Sequence, residues 1–262
     1  MLIRAGRLGA IGRTRRGPLY DPFLEQLLVA MGTTPPADVR GYMNECIIAL
    51  RVAEVWPLLD GLRMWWLDTA DNACYDWVNP TAYKASFVNS PTFTAYRGVN
   101  GDGASSWVNH NWAPTNGVKF QQDNNSLFAY ALTDAQGNAI FGTNTGGNLL
   151  LQPRNASNLF GYRVNQASST TVANTNGSGF YAAERSGASA TQGYKDGVAL
   201  GSAGAVTSTA RSSQTMGVGR VNNTYSSVQV GASGVAAYLG PTKQLALRNA
   251  IHTFGQRVGA VA

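Results

Sequence analysis

The sequence predicts a mainly β protein, a sandwich or a barrel, which a basic arm and two short helices precede and a C-terminal helix closes. Three observations predict this class. Only 13% of the 262 residues are charged, and 30 are glycine, a composition that suits turn-rich β structure. Short apolar or alternating segments, such as SLFAYALT and GFYAAER, recur between about residues 61 and 240. Turn clusters, such as NGDG and NTGG, separate these segments at the spacing of a sandwich or barrel.

Residues 21–60 are predicted to form two helices. The first would begin at an Asp21 N-cap with Pro22 in its first turn and end at Gly32. The second would be capped by Thr34 and stopped by Pro57. The helical period places apolar side chains on one face of each helix: Leu24, Leu27, Leu28 and Met31 on the first, and Val39, Met43, Cys46, Ile47, Leu50 and Ala53 on the second. Because short helices with one apolar face are not stable alone, we expect them to pack on the rest of the chain or on another subunit.

Residues 61–262 are predicted to form the β body with its closing helix. The Asp196-Gly197 pair predicts a hairpin with a type I′ turn. The closing helix is expected to begin at a Thr242 cap, to run to about His252 and to stop at Gly255. Its predicted apolar face includes Leu245, Ala246 and Ile251.

Residues 1–20 form a basic, glycine-rich arm. Its five arginines are Arg4, Arg7, Arg13, Arg15 and Arg16. Without them, 15 basic residues face 14 acidic ones, so the arm carries most of the net charge of +6. The arm has too few apolar groups to pack by itself, and we expect it to dock on other subunits through arginine–carboxylate pairs. The alternatives are that the arm contacts packaged nucleic acid or that it folds back on the body of its own chain.

Three stretches, taken in order, resemble a known family. FVNSPTFTAYRGVNGDGASSWVN (87–109) is similar to the opening strands of concanavalin A-like, laminin-G-like sandwiches, and GFYAAERSGASATQGYKDGVALGS (179–202) is similar to their central strands. TMGVGR, followed by GVAAYLGPTKQLALRNAI, resembles their closing strands and helix. Together with YDWVNP (75–80) and the helical segment, this order resembles virion proteins of tailed bacteriophages and prophages over about residues 21–255.

The resemblance implies a concanavalin A-like jelly-roll sandwich in a structural component of a phage-like virion. Such a component would be a head decoration or fibre, a collar protein or a tail-associated protein, assembled in the host cytoplasm. Its expected partners are capsid, collar or tail subunits and further copies of itself, with neither nucleic acid nor a membrane. The alternative is a carbohydrate-binding module that recognises host surface glycans.

The residues for glycoside hydrolysis are not found in the expected pattern. Retaining enzymes need two carboxyl groups about 5–5.5 Å apart, and the hydrolytic relatives carry a Glu-x-Asp-x-x-Glu strand. The sequence has no such strand, and it has neither a G-x-S-x-G nor an H-E-x-x-H motif. We therefore expect no enzyme activity, no metal and no cofactor. Asp102 in NGDG is interpreted as a turn residue rather than a calcium ligand.

The stretch WVNHNW is the candidate glycan site. Trp112 could stack on a sugar ring, with His110 beside it, while Asn109 and Asn111 hydrogen-bond hydroxyl groups. The alternative is that the tryptophans of this stretch pack in and over the sandwich. The two cysteines, Cys46 and Cys74, match no zinc or redox spacing and are expected to be reduced, partly buried thiols. No secretory signal is apparent at the N-terminus.

Overall fold

The computed structural model describes residues 20–146 and 148–262. The helices are α1 (Pro22–Met31), α2 (Ala37–Val52), α3 (Ala70–Ala73) and α4 (Gly240–Arg257), with 3-10 turns at Trp56–Leu58 and Pro114–Asn116. The strands are β1 (Leu59–Met64), β2 (Ser86–Val88), β3 (Thr92–Thr94), β4 (Gly98–Asn100), β5 (Trp107–Asn109), β6 (Asn125–Ala131), β7 (Phe141–Thr143), β8 (Leu149–Gln152), β9 (Leu159–Val164), β10 (Thr170–Ala173), β11 (Gly179–Gly187), β12 (Ala190–Lys195), β13 (Val198–Ala205), β14 (Met216–Val218), β15 (Arg220–Val221), β16 (Thr224–Tyr225) and β17 (Val230–Ala236).

Two antiparallel sheets form the sandwich. The first has the order β13-β12-β11-β6-β17-β4-β3, and β1 also pairs with β17. The second has the order β10-β9-β8-β7-β14-β5-β2. A separate ribbon joins β15 and β16. This arrangement confirms the predicted mainly β sandwich with few helices and a C-terminal helix.

One hydrophobic cluster connects the sandwich to the helices. Aromatic side chains from both sheets meet in it, and Phe160 of β9 lies 5.1 Å from Tyr181 of β11 between ring centroids. The same cluster includes Leu27 of α1, Ile47 of α2 and Phe254 of α4. The helices therefore bury their apolar faces on the sandwich, which stabilises elements too short to be stable alone.

The helical segment follows the prediction at its start and departs from it later. Asp21 caps α1 by accepting a hydrogen bond from the Phe23 amide, and Gly32 ends the helix with a φ of 69°. The predicted Thr34 cap of α2 is wrong, because that helix begins at Ala37 without a side-chain cap. The strand region, predicted from about residue 61, begins with β1 at Leu59.

The closing helix α4 is longer than predicted. It begins at Gly240, so Thr242 is not its cap. Glu184 of β11 performs that role, since its Oε1 accepts from the amides of Leu239 (2.9 Å) and Gly240 (3.2 Å). The predicted stop at Gly255 is also wrong, because α4 continues to Arg257.

The buried face of α4 differs in part from the predicted one. Leu245 is 43% exposed, whereas Leu247, Ile251 and Phe254 are buried. Gly255 lies against the Trp66 ring, and a Cβ there would come within 2.6 Å of the indole. Tertiary contact, rather than a helix stop, explains this glycine.

The predicted hairpin turn is present between β12 and β13. Asp196 has a φ of 51° and Gly197 a φ of 81°, as a type I′ turn requires. Within residues 20–146 and 148–262, no helix is long and apolar enough to cross a membrane.

Candidate functional site

Several connections between strands meet at one end of the sandwich, here called the loop end. The antiparallel register places them there. Gly179 at the start of β11 pairs with Ala131 at the end of β6, and Val230 at the start of β17 pairs with Ala131 and with Val99 of β4. The loop end comprises residues 95–97, 132–140, 153–158, 174–178 and 196–197.

A polar junction holds three of these loops together. Arg154 Nη2 lies 3.3 Å from Asp134 Oδ1, and Arg154 Nη1 donates to the carbonyl of Thr175 at 2.7 Å. The amide of Gly177 donates to Asp134 Oδ1 at 2.7 Å. Loops from both sheets are thus positioned relative to one another by charge-assisted hydrogen bonds.

A cleft of 420 Å³ lies among the loops beside this junction. Its polar side chains carry amide or hydroxyl groups and no charge: Gln136, Asn138, Gln152, Asn155 and Ser157. Gln152 Nε2 donates to the carbonyl of Gly137 at 2.7 Å, which orients the side-chain amide of Gln152.

Two amide side chains of this cleft are open to a ligand. Gln136 and Asn138 are exposed, and Gln136 Nε2 donates to Asn158 Oδ1 at 2.7 Å. Because each amide has two N–H donors and an acceptor oxygen, groups remain to bond ligand hydroxyls. We call this the amide cleft.

A second cleft, of 490 Å³, lies where the loop end meets α4 and residues 260–262. Three cations, Arg97, Lys195 and Arg248, line it together with the other polar residues Asn176, Ser178, Asp196 and Gln229. Tyr130 forms part of its wall. We call this the cationic cleft.

The three cations of this cleft lack ionic partners in the described part of the chain. None of Arg97, Lys195 and Arg248 forms an ion pair with a residue in 20–146 or 148–262. Lys195 Nζ donates to Asn176 O at 2.6 Å, and Arg248 Nη1 to Asn249 Oδ1 at 3.2 Å. These neutral acceptors satisfy hydrogen bonds without neutralising charge.

Electrostatics in the cationic cleft follow from partial burial. Burial lowers the pKa of Lys195, and Asp196 opposes this shift. Burial and Arg248 also lower the pKa of His252, whose Nδ1 lies 2.9 Å from Tyr130 Oη. The helix was predicted to run to about His252, but His252 lies within α4, which continues to Arg257, and its ring contacts the Tyr130 side chain.

The predicted glycan residues do not form an exposed aromatic surface. Trp112 is 3% exposed and packs edge-on against Phe120, with ring centroids 5.8 Å apart. His110 is also buried, and only Asn109 and Asn111 reach solvent. Trp112 thus packs in the interior, as the alternative interpretation of this stretch expects, and a buried ring face cannot stack on a sugar. Glycan binding by these four residues stays a prediction without the stacking surface that motivated it.

His110 belongs to a buried polar network that the sequence analysis missed. Its Nδ1 lies 2.9 Å from Arg63 Nη1, and its Nε2 lies 3.1 Å from Ser233 Oγ. Arg63 also pairs with Asp76 at 3.2 Å. Burial and Arg63 lower the pKa of His110 well below its usual value. This network joins β1, β17 and the segment after β5, and its burial makes it structural rather than ligand-binding.

Other predicted residues are accounted for locally. Asp102 Oδ1 accepts from the amides of Ala104, Ser105 and Ser106 at 2.7–2.9 Å, as a turn residue does. Cys46 and Cys74 are free thiols, as predicted, but both are buried rather than partly buried. Within residues 20–146 and 148–262, no group of three or more His, Cys, Asp or Glu side chains is placed to hold a metal ion.

The arginines assigned to anchoring, Arg4, Arg7, Arg13, Arg15 and Arg16, lie outside the described residues. The loop-end clefts were missed because their residues are distant in sequence and meet only through sheet register. A partial signal existed. The stretches NTGGNLLLQPRN and ASSTTVANTNGSG are polar and glycine-containing, and they supply residues to the clefts, but nothing in them singles out a ligand.

Comparison with known proteins shows similarity in structure alone. No protein-family model and no curated protein sequence matches this chain. A mutant of Trypanosoma rangeli sialidase displaying trans-sialidase activity is similar with a TM-score of 0.54 and 12% identity, over 81% of this chain and 39% of that one. The chain thus spans about two fifths of the sialidase chains that it resembles.

Two further domains are similar in fold. Domain 4 of a GH43 extracellular arabinanase from Geobacillus stearothermophilus, solved in complex with arabinotriose, has a TM-score of 0.53 and 10% identity, over 72% of this chain and 98% of that one. The binding domain of botulinum neurotoxin serotype D has a TM-score of 0.50 and 10% identity, over 74% of this chain and 52% of that one. These similarities show a shared β-sandwich fold.

These similarities correct the expectation that the chain is not an enzyme. That expectation rested on the missing Glu-x-Asp-x-x-Glu strand. The sialidases that the chain resembles are enzymes, one of them with trans-sialidase activity. The fold therefore gives no ground for separating this chain from glycosidases, and the missing strand excludes only one catalytic arrangement.

Proposed function

We propose that this protein is a carbohydrate-binding, lectin-like module whose loop end holds the glycan. The observation that carries the proposal is the amide cleft of 420 Å³, whose polar side chains are uncharged and partly pre-oriented by internal hydrogen bonds. Side-chain amides provide donors and acceptors together, which suits hydroxyl groups that also donate and accept. The volume falls within the range of about 300–1,000 Å³ that is usual for small-ligand pockets.

The comparisons support this proposal by analogy of fold. The arabinanase domain has the same sandwich architecture and was solved with arabinotriose. Ligand sites on sandwiches are commonly built from loops on a rigid scaffold. Here the junction between Asp134 and Arg154 gives the loops such a scaffold.

A glycan array probed with the full chain tests the proposal. We expect binding of at least one glycan, and the double variant Gln136→Ala/Asn138→Ala should bind it ~10-fold more weakly, since neutral hydrogen bonds contribute about 0.5–1.5 kcal/mol each. Gln26→Ala is the matched control, because Gln26 is an exposed amide on α1, away from the loop end. Absence of binding to every glycan would refute the proposal.

We also propose a narrower setting for this module, as part of a phage-like particle in which residues 1–20 attach to other subunits. The resemblance in motif order and the five arginines of the arm support it. Deletion of residues 1–20 should leave a folded domain that no longer joins particles. If the truncated protein joins particles as well as the full chain, attachment by the arm is wrong.

A further inference from the structure

We infer that the cationic cleft selects an acidic saccharide, one that carries a carboxylate or a sulfate ester, as the ligand of this module. The inference rests on the proposed glycan-binding function and adds the chemical class of the ligand. Positive charge is in excess at this cleft, on a body whose charge is otherwise nearly balanced.

The cleft holds three cations and one acidic side chain. Arg97, Lys195 and Arg248 line it together with Asp196. Even if residue 262, which also lines the cleft, carries a free carboxylate, cations outnumber carboxylates three to two. Outside the arm arginines, the chain has 15 basic and 14 acidic residues, so this local excess is not part of a general basic surface.

The donors of Arg97 are available to a ligand. Arg97 is exposed, and its Nη1 makes only long contacts, of 3.4 and 3.3 Å, with the carbonyls of Gly259 and Ala260. Hydrogen bonds of that length are weak. A guanidinium has five N–H donors in a fork that matches a carboxylate or sulfate. Arg97 therefore retains most of its capacity to bind an anion.

The two partly buried cations, Lys195 and Arg248, carry an electrostatic cost that an anion would relieve. Arg248 Nε is buried without a hydrogen-bond partner. Charges that are partly removed from water are favourable only when a counter-charge replaces the lost solvation. An anionic group bound between the cations would supply it.

The other lining groups favour a saccharide over a polyanion. Asn176 and Gln229 offer amides for hydroxyl groups. Asp196, whose Oδ1 accepts from the Phe180 amide at 3.0 Å, would accept from a sugar hydroxyl but would repel a second phosphate. A ring with one acidic group and several hydroxyls fits this mixture better than a nucleic acid backbone.

The test uses an array in which each acidic glycan stands beside a neutral counterpart: uronates beside their methyl esters, and sulfated sugars beside unsulfated ones. We expect the full chain to prefer the acidic member of a pair by ~10-fold or more, the effect of one charge-assisted hydrogen bond. Preference among uronates or among sulfated sugars identifies the source of the anion. Equal binding of both members would overturn the inference and leave the proposed function standing, whereas no binding at all would overturn both.

Variants then locate the preference on the tightest acidic glycan of the array. Arg97→Gln/Arg248→Gln should abolish the preference while the urea midpoint stays near that of the wild type. Arg257→Gln is the matched control, because Arg257 lies on the same helix and pairs instead with Glu45 at 3.6 Å. A preference unchanged in the double variant would overturn the assignment to this cleft. So would equally tight binding of a short oligonucleotide.

Discussion

Arg63 Nη1 and His110 Nδ1 lie 2.9 Å apart in the interior, although 47 positions separate the two residues in sequence. Arg63 Nη2 also donates to the His110 carbonyl at 2.9 Å, so one guanidinium binds the ring and the backbone of the same residue. Because the cation faces Nδ1, the ring accepts there and its Nε2 is the protonated nitrogen, directed at Ser233 Oγ at 3.1 Å. The network thereby selects a neutral histidine.

Stability should fall as the pH is lowered through the range of histidine titration. The folded pKa of His110 lies well below 6.5, so the unfolded chain takes up a proton that the folded chain refuses. The contribution is fully present above the unfolded pKa and is lost progressively as the pH falls from there toward the lowered folded pKa. Urea denaturation between about pH 7.5 and 5 measures this dependence.

His110→Gln should remove most of the decrease in the free energy of unfolding between about pH 7.5 and 5. His252→Gln, which removes the half-buried histidine, should leave most of that decrease in place. The pKa of His252 is lowered as well, so its removal changes the slope in the same direction but less. An identical slope for wild type and His110→Gln would contradict the assignment.

Arg63 and Asp76 should be coupled energetically. Both side chains are at most 2% exposed, so Arg63→Met leaves the Asp76 carboxylate buried without its counter-charge. We expect a loss of about 3–5 kcal/mol in the free energy of unfolding. In the double variant Arg63→Met/Asp76→Asn both charges are removed. Its loss in the free energy of unfolding should be smaller than the sum of the losses in Arg63→Met and Asp76→Asn. Additive losses in urea denaturation would show that the pair does not interact.

Gly231→Ala should destabilise the sandwich through the Trp66 ring. A Cβ at Gly231 would overlap the buried indole. Overpacking of this kind costs about 1–3 kcal/mol. Gly41→Ala is the control: it lies in α2 with nothing within 4 Å of the added carbon, and replacing a helical glycine there should stabilise by about 0.5–1 kcal/mol. The midpoint of thermal unfolding should therefore fall in Gly231→Ala and rise in Gly41→Ala. A shift in the same direction in both variants would contradict the prediction.

Glu184→Ala should weaken the N-terminus of α4. Its Oε1 accepts from the amides of Leu239 and Gly240 and from Gln244 Nε2. Buried donors left without a partner cost about 1–3 kcal/mol. Thr242→Ala, at the cap position that the sequence suggested, should cost less than about 0.5 kcal/mol. Hydrogen exchange of the first turn of α4 distinguishes the two variants, and equal exchange rates would argue against capping by Glu184.

Local patterns were most informative where the deciding contacts are local. The Asp21 cap and Gly32 stop of α1 and the Asp196-Gly197 turn are present as predicted, because each depends on neighbouring residues and on backbone conformation. The Thr34 and Thr242 caps were wrong for a complementary reason. A hydroxyl near a helix start is only one possible acceptor, and for α4 a distant glutamate takes the place.

The clefts at the loop end could not be predicted from the sequence. Polar loops were visible in the sequence, but which of them adjoin depends on strand register over long separations. Gln136 and Asn155 line one cleft, and Arg97 and Arg248 another, although no pattern in the sequence relates them. Trp112 gives the converse case, since an aromatic side chain in a polar stretch suggested a sugar platform and instead packs on Phe120.

By itself, the sequence determined the mainly β sandwich, its flanking helices and its tight turns, because alternation, capping and turn chemistry act over a few residues. Only the tertiary structure decided which charges are buried together and which remain without partners. Those outcomes depend on solvent exclusion and on distances between residues far apart in the chain, which no local pattern encodes.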